Sequence, residues 1–301
     1  MPPTPHAFTV DTEDWAALMC MYMGRSVPVS AQFSSSIRFL LDLLDEYQTK
    51  ATFYVIASHA VEQPAAVREI VSRGHELGSH GWTHLKTHTF SPENYREDIR
   101  RSVGTLEELT GQKVYGHRCP FFSLLPGQLW ALEAMAEAGL EYDSSMTSLV
   151  WARAGVPVPE QPFVCHLPSG ANLIEFPALA RRLGPVTARY IGGRGLRNLP
   201  RSFCVKHVQE RERTGLPAIL YLHTYEVMPD RLMQYVPAGF GVKSRLKLAI
   251  AAKSFELGLG HMQRSIRHLL SEYQWAPARE VIEALRLAGR LPEYAPPAPP
   301  G

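Results

Sequence analysis

The apolar positions of this chain fall into short runs of strand type that alternate with longer stretches of helical period. Residues 7–11 alternate and carry β-branched side chains, as a first strand would, and residues 51–57, 113–118, 140–145 and 217–223 are compact apolar runs of the same kind. Residues 76–78 form a shorter run directly ahead of His80. Between them, residues 34–47 set Ile37, Leu40, Leu41 and Leu44 on one stripe behind a serine-rich start, and residues 64–73, 91–111, 128–137 and 200–214 also read as helices. Residues 163–167 and 172–176 predict a hairpin. Strand followed by helix, repeated, predicts an α/β fold with a parallel sheet under covering helices, and barrels of this type commonly use such a length as one domain. Past about residue 230 the pattern becomes helical, over residues 243–270 and 278–288, and ends in a proline-rich stretch. The expected organisation is a barrel over residues 1–230, a helical extension over residues 231–290 and a disordered Pro-rich tail over residues 291–301.

Charge and composition narrow the partners. The 31 basic and 29 acidic side chains leave a formal charge of +2 with no long run of either sign, which argues against a nucleic-acid surface. No stretch is apolar enough to span a bilayer, and the first residues lack a basic segment followed by an apolar one, so a cytoplasmic location is expected. Cys20, Cys119, Cys165 and Cys204 show neither zinc-ribbon nor disulfide spacing. Lys243, Arg245, Lys247 and Lys253 make one helical segment basic, suited to a membrane surface or simply to solvent. Oligomeric state is left open.

Titratable residues gather at the ends of the predicted strands. His80 and His84 stand four apart beside glycines, and on a turn or short helix that spacing brings the side chains to about 5–6 Å, within reach of one ion. Asp11, Glu13 and Asp14 follow the first strand; side chains two apart on extended chain share a face, which groups Asp11 with Glu13, while Asp14 stays open as a rival. Arg118, Asp143 and His223 end three further strands, and in a parallel barrel the strand ends build the active site. A carboxylate and two imidazoles would leave a divalent ion open positions for water and substrate. A second carboxylate could take the water's proton, and a histidine across the site could protonate a leaving nitrogen. Trp15, Trp82, Phe121, Phe122 and Tyr225 lie next to these residues in sequence, and flat aromatic faces suit sugar rings.

The ordered set Thr9-Val10-Asp11-Thr12-Glu13-Asp14-Trp15, Ser79-His80-Gly81-Trp82-Thr83-His84, Arg118-Cys119-Pro120, Tyr142-Asp143-Ser144-Ser145 and Leu222-His223-Thr224-Tyr225-Glu226 resembles the NodB-homology polysaccharide deacetylases, carbohydrate esterase family 4. It looks closest to the exopolysaccharide-locus branch with an Asp-x-Glu-Asp-Trp motif and a C-terminal helical region. The resemblance covers about residues 7–230. It implies a distorted (β/α) barrel of fewer than eight strands and metal-dependent hydrolysis of the N-acetyl group of an amino sugar, in an oligo- or polysaccharide or its carrier-linked precursor. Asp11 would match the catalytic base, His80 and His84 the metal ligands, Arg118 the arginine that orients the base, His223 the general acid and Asp143 the acid that supports that histidine. Many members carry adjacent aspartates; Thr12 stands at the second place here, so Glu13 is the expected third ligand, as in the branch that uses Asp-x-Asp. Zinc is the expected ion, and Trp82, Phe121 and Tyr225 are the expected substrate contacts. The same scaffold also resembles deformylases and cyclic-amide amidohydrolases, and a non-catalytic glycan-binding barrel is the third reading.

Overall fold

The computed structural model describes residues 4–179, 181–183, 186–188, 191–228 and 230–297. In chain order the first half runs β1 (His6–Thr12), α1 (Trp15–Tyr22), α2 (Ala31–Glu46), β2 (Thr52–Val55), α3 (Ala57–Glu62), α4 (Pro64–Ser72), β3 (Glu76–Ser79), α5 (Pro92–Thr110), β4 (Gly116–His117), α6 (Leu129–Glu137) and β5 (Tyr142–Asp143). The second half runs α7 (Ser148–Arg153), β6 (Phe163–His166), β7 (Asn172–Glu175), β8 (Arg181–Leu183), β9 (Val186–Ala188), α8 (Gly193–Asn198), α9 (Arg201–Arg213), β10 (Ile219–His223), α10 (Val242–Glu256), α11 (Leu259–Glu272), β11 (Trp275–Ala276), α12 (Ala278–Leu287) and β12 (Glu293–Tyr294).

Seven strands lie parallel in the order β10-β1-β2-β3-β4-β5-β7. That count agrees with a barrel of fewer than eight strands, although no hydrogen-bonded pairing joins β10 to β7 among the described residues. β1 sits at the centre of the chemistry and is buried along its whole length, because both faces of a parallel strand are covered. Its Phe8 and Val10 share one core cluster with Phe53 of β2 and with Phe33, Ile37 and Leu40 of α2, all fully buried. Each such side chain contributes roughly 1.5–3 kcal/mol by leaving water.

Several elements depart from the sequence expectation. β7 is more than the second arm of the predicted hairpin: it pairs antiparallel with β6 and parallel with β5, which makes it a strand of the main sheet. The helices α1, α3, α7 and α8 were not foreseen; each is eight residues or fewer, too short for the periodicity to register. The helical stretch over 243–270 is divided at Gly258, whose φ of 78° leaves the right-handed helix.

The segment expected as a separate extension returns to the sheet. β11 adds to β1 through His6↔Trp275 and Ala7↔Ala276, and α12 follows it to pack on the same strand. Glu293 and Tyr294, placed in the expected disordered tail, instead pair as β12 with Val164 and Cys165 of β6; residues 298–301 of that tail lie outside the described residues. The four cysteines are buried and form no disulfide among the described residues, and no described helix is long and apolar enough to cross a membrane.

Candidate active site

Parallel strands deliver their last residues to one end of the sheet, and the register places Asp11 beside His223 and Ser79 beside His117. β1 stops at Thr12 because Asp14 caps α1, accepting the Ala17 N–H at 2.6 Å and the Ser30 hydroxyl at 2.5 Å. Asp14 is turned into a cap, and Glu13 is left facing the histidines.

His80 follows β3 directly, and Gly81, at a φ of 79°, turns the chain so that the His80 and His84 rings come within 5.1 Å. The segment is a bend rather than a helix. His80 Nδ1 donates to the Arg118 carbonyl at 2.7 Å, and His84 Nδ1 bonds the Tyr22 hydroxyl. Those bonds turn both Nε2 atoms toward Glu13 Oε1, at 3.4 Å from His80 and 2.9 Å from His84. Both Nε2 atoms are buried and make no well-formed hydrogen bond. Buried polar atoms are seldom left so. Two imidazoles fixed at the far nitrogen and one carboxylate, with ligand atoms within 4.8 Å of one another, fit a divalent cation. Burial alone would raise the Glu13 carboxyl, but the imidazoles of His84 and His223 outweigh it and hold it well below the usual carboxylate range.

Asp11 and Arg118 form one flank. The guanidinium, fully buried, reaches Asp11 Oδ1 at 2.7 Å, Thr9 Oγ1 at 3.1 Å and Ser144 Oγ at 3.0 Å, and lies 4.2 Å above the Tyr54 ring. Asp11 therefore cannot rotate without breaking a buried charge pair. His223 forms the other flank, with Nε2 3.8 Å from Glu13 Oε1 and its ring stacked on Tyr225 at 5.2 Å. Burial works against its charged form, yet Glu13 and Glu226 outweigh that and raise it well above the usual imidazole range.

Asp143 does not join this group. Its carboxyl is taken by the Ser145 hydroxyl at 2.6 Å and the Ser145 N–H at 3.1 Å, and it stands in register with Glu175 on β7. The acid on His223 is Glu226, which bonds Nδ1 at 2.9 Å and faces Arg197 Nη1 of α8 at 2.8 Å. Glu226 stands in the same motif as His223, three residues on, and the one-turn helix Thr224–Glu226 folds it back onto the histidine. Arg197 carried no sequence signal.

A cavity of about 290 Å³ opens over these groups. Phe121 and Tyr225 line it together with Tyr22, Phe122 and Tyr221, which gives it aromatic walls. Phe121 and Phe122 both have positive φ, 61° and 52°, an uncommon backbone for bulky residues that is concentrated at functional sites. Trp82 is absent from the lining: its ring packs under the Arg101 guanidinium at 3.5 Å and against the core. The ring expected as a substrate contact thus stands outside the cavity lining.

The polysaccharide deacetylase family model matches residues 30–142, and a second model, described as a domain of unknown function (DUF3473), matches residues 144–283. The peptidoglycan-N-acetylglucosamine deacetylase of Bacillus cereus is 32% identical over 95 residues, covering 31% of this chain and 34% of that protein. The chitooligosaccharide deacetylase of Bradyrhizobium sp. is 28% identical over 122 residues, covering 39% of this chain and 53% of that protein. The chain spans about a third to a half of the length of these relatives. In three dimensions a putative polysaccharide deacetylase from Mycobacterium smegmatis superposes with a TM-score of 0.69 at 17% identity, covering 100% of this chain and 96% of that one. PuuE allantoinase gives 0.63 at 16% identity, covering 96% and 93%. At such identities these two structures show a shared fold. His80, His84 and Arg118 fall in the first matched region, and Arg197, His223 and Glu226 in the second, while Asp11 and Glu13 precede both. The first matched region is thus similar to the polysaccharide deacetylases, and the chain shares its parallel α/β fold with the two solved structures.

Proposed function

We propose that this chain is a metal-dependent N-deacetylase that hydrolyses the acetamide of an N-acetylated amino sugar in an oligo- or polysaccharide or its carrier-linked precursor. The observation that carries the reading is the convergence of Glu13, His80 and His84 on one point, with Asp11–Arg118 on one side and His223–Glu226 on the other. The named activities of the relatives, on peptidoglycan and on chitooligosaccharides, are of this class.

Glu13, His80 and His84 would hold the ion, zinc being the candidate that suits mixed nitrogen and oxygen donors. A divalent ion there supplies Lewis-acid polarisation and a more acidic water. Asp11, pinned by Arg118, accepts the proton of the attacking water. His223 donates from Nε2 to the departing amine nitrogen, while Glu226 keeps Nδ1 occupied and the ring in place. Such proton-transfer groups typically contribute ~10²–10⁴-fold. Phe121 and Tyr225 offer faces for the sugar ring in a cavity whose size suits a single residue of a chain.

The test is to incubate the metal-loaded protein with free N-acetyl sugars, N-acetylated oligosaccharides, carrier-linked sugars and small cyclic amides, scoring acetate and formate separately. Acetate from the oligosaccharide or carrier-linked substrates is the expected result. Formate alone, or turnover of cyclic amides alone, would overturn the reading.

A further inference from the structure

The helix α10 turns an aliphatic line to solvent. Val242, Leu246 and Ile250 are 86%, 61% and 63% exposed, and Leu257 at the helix end is 58% exposed. At about 100° per residue the three helical positions occupy an outward arc of roughly 80°. Single exposed aliphatics are ordinary, but a continuous line on one helix face is a surface that water disfavours.

Its edges are cationic. Lys243 and Lys247 fall on one side of the line, Arg245 on the other, and Lys253 within it, all of them exposed. The one carboxylate of the helix, Glu256, is drawn inward, where it accepts the Leu232 N–H at 3.0 Å and is only 20% exposed. The outward face therefore presents Lys243, Arg245 and Lys247 around an apolar stripe, with Lys253 also outward but 3.9 Å from Glu256. That is the pattern of a helix lying in the plane of an anionic bilayer, with its aliphatic face among the acyl chains and its cations at the phosphates. The helix is also too short to do otherwise: its 15 residues extend about 22 Å, against roughly 30 Å of hydrocarbon.

The inner face ties this surface to the active site. Leu248 and Ala252 are buried in one cluster with Trp15 and Tyr225, and the Phe255 ring meets Tyr225 edge-on at 5.2 Å and carries the Arg197 guanidinium at 4.9 Å. Phe255 also lines the cavity. We infer that α10 docks the protein flat on an anionic phospholipid surface through Val242, Leu246, Ile250 and the flanking cations, with the cavity opening close to the headgroups. The inference stands on geometry and charge, independently of which bond the active site breaks.

The experiment is co-sedimentation of the full chain with vesicles of phosphatidylcholine alone and of phosphatidylcholine mixed with phosphatidylglycerol, at low and high salt. Binding should favour the anionic vesicles and weaken with salt. With each cation near such a surface worth about fivefold, the Lys243→Glu, Lys247→Glu variant should bind at least about 25-fold more weakly. Leu246→Glu, Ile250→Glu should lose binding while keeping the thermal midpoint of the parent, since neither side chain is buried. Equal partition of the wild type between the two vesicle types, or none to either, overturns the proposal without reference to any variant. A concentration-dependent dimer in light scattering that Leu246→Glu, Ile250→Glu dissolves, without vesicle binding, would assign the face to a second copy instead. Vesicle binding by a protein that releases no acetate would leave this inference standing and remove the deacetylase reading alone.

Discussion

Glu226 holds the His223 ring by Nδ1 at 2.9 Å, and the opposite oxygen of the same carboxylate lies 2.8 Å from Arg197. The arrangement fixes the tautomer, since a carboxylate at Nδ1 keeps a proton there and leaves Nε2 as the working atom. Gly193 is required beside it: a Cβ at that position would fall 1.8 Å from Glu226 Oε2. Replacing Glu226 by Gln should lower kcat by about 10²-fold, the lower end for a proton-transfer group, with KM little changed and metal content intact. Glu226→Asp, which keeps the charge, should recover part of the loss. The thermal midpoint should also fall in Glu226→Gln, because Arg197 is left buried without its counter-charge. A kcat equal to that of the parent would show that His223 does not depend on this carboxylate.

Metal content separates ligands from proton-transfer groups. His80→Ala, His84→Ala removes two of three donors and should abolish stoichiometric metal binding, whereas Asp11→Asn should keep the ion and still lose ~10²–10⁴-fold in turnover. Elemental analysis of the dialysed variants, beside rates on one soluble substrate, reads both effects. Chelation of the wild type should lower its thermal midpoint, since an ion at about 100 times its Kd adds about 2.7 kcal/mol to the folded state. A double histidine variant that retains one ion per chain would move the metal elsewhere.

What could be read from the sequence was whatever depends on strand ends; what could not was whatever depends on how neighbouring strands register or on single turns. Asp11, His80, Arg118 and His223 each end a strand or follow one, so their convergence follows from a parallel sheet. The choice of Glu13 over Asp14 was open until the start of α1 was known, because either acid could follow the strand and only a helix cap removes one of them. Asp143, which the resemblance assigns to His223, instead has its carboxyl on Ser145 and stands beside Glu175. β7 looked like half of an isolated hairpin, and only its parallel pairing with β5 brings Glu175 alongside Asp143. Arg197 lies on a six-residue helix with no periodicity to reveal it, and its partner is distant in sequence.

The Asp143–Glu175 pair predicts a pH dependence of stability. Burial raises the Asp143 carboxyl to about 6, and burial together with the Asp143 charge raises Glu175 well above the usual range. The folded chain thus binds protons more tightly here than the unfolded chain does. Stability from the pair is complete below the ordinary carboxylate range, about 4, and is lost as pH rises through 6 and beyond. Glu175→Gln removes one of the two buried charges and can donate to Asp143. The difference in thermal midpoint, variant minus wild type, should therefore increase from pH 4 to pH 8. A difference that stays constant across that interval would mean that the pair does not titrate as its burial requires.

The two aromatic positions that looked alike in sequence should behave oppositely. Phe121 is 48% exposed, its ring 4.6 Å from that of His84 and 5.8 Å from that of Tyr22, so it stands at the cavity with little packing to lose. Phe121→Ala should raise KM for an oligosaccharide substrate several-fold, in keeping with stacking worth about 0.5–1.5 kcal/mol, and leave the thermal midpoint nearly unchanged. Trp82 packs beneath Arg101 and on the core beside α3, where its carbonyl accepts the Ser58 N–H at 3.2 Å. Trp82→Ala should lower the thermal midpoint with no separate effect on KM in the protein that remains folded. Steady-state kinetics and thermal unfolding on the same preparations read both. If Trp82→Ala raised KM at an unchanged midpoint, substrate would have to reach a surface that the fold gives to Arg101.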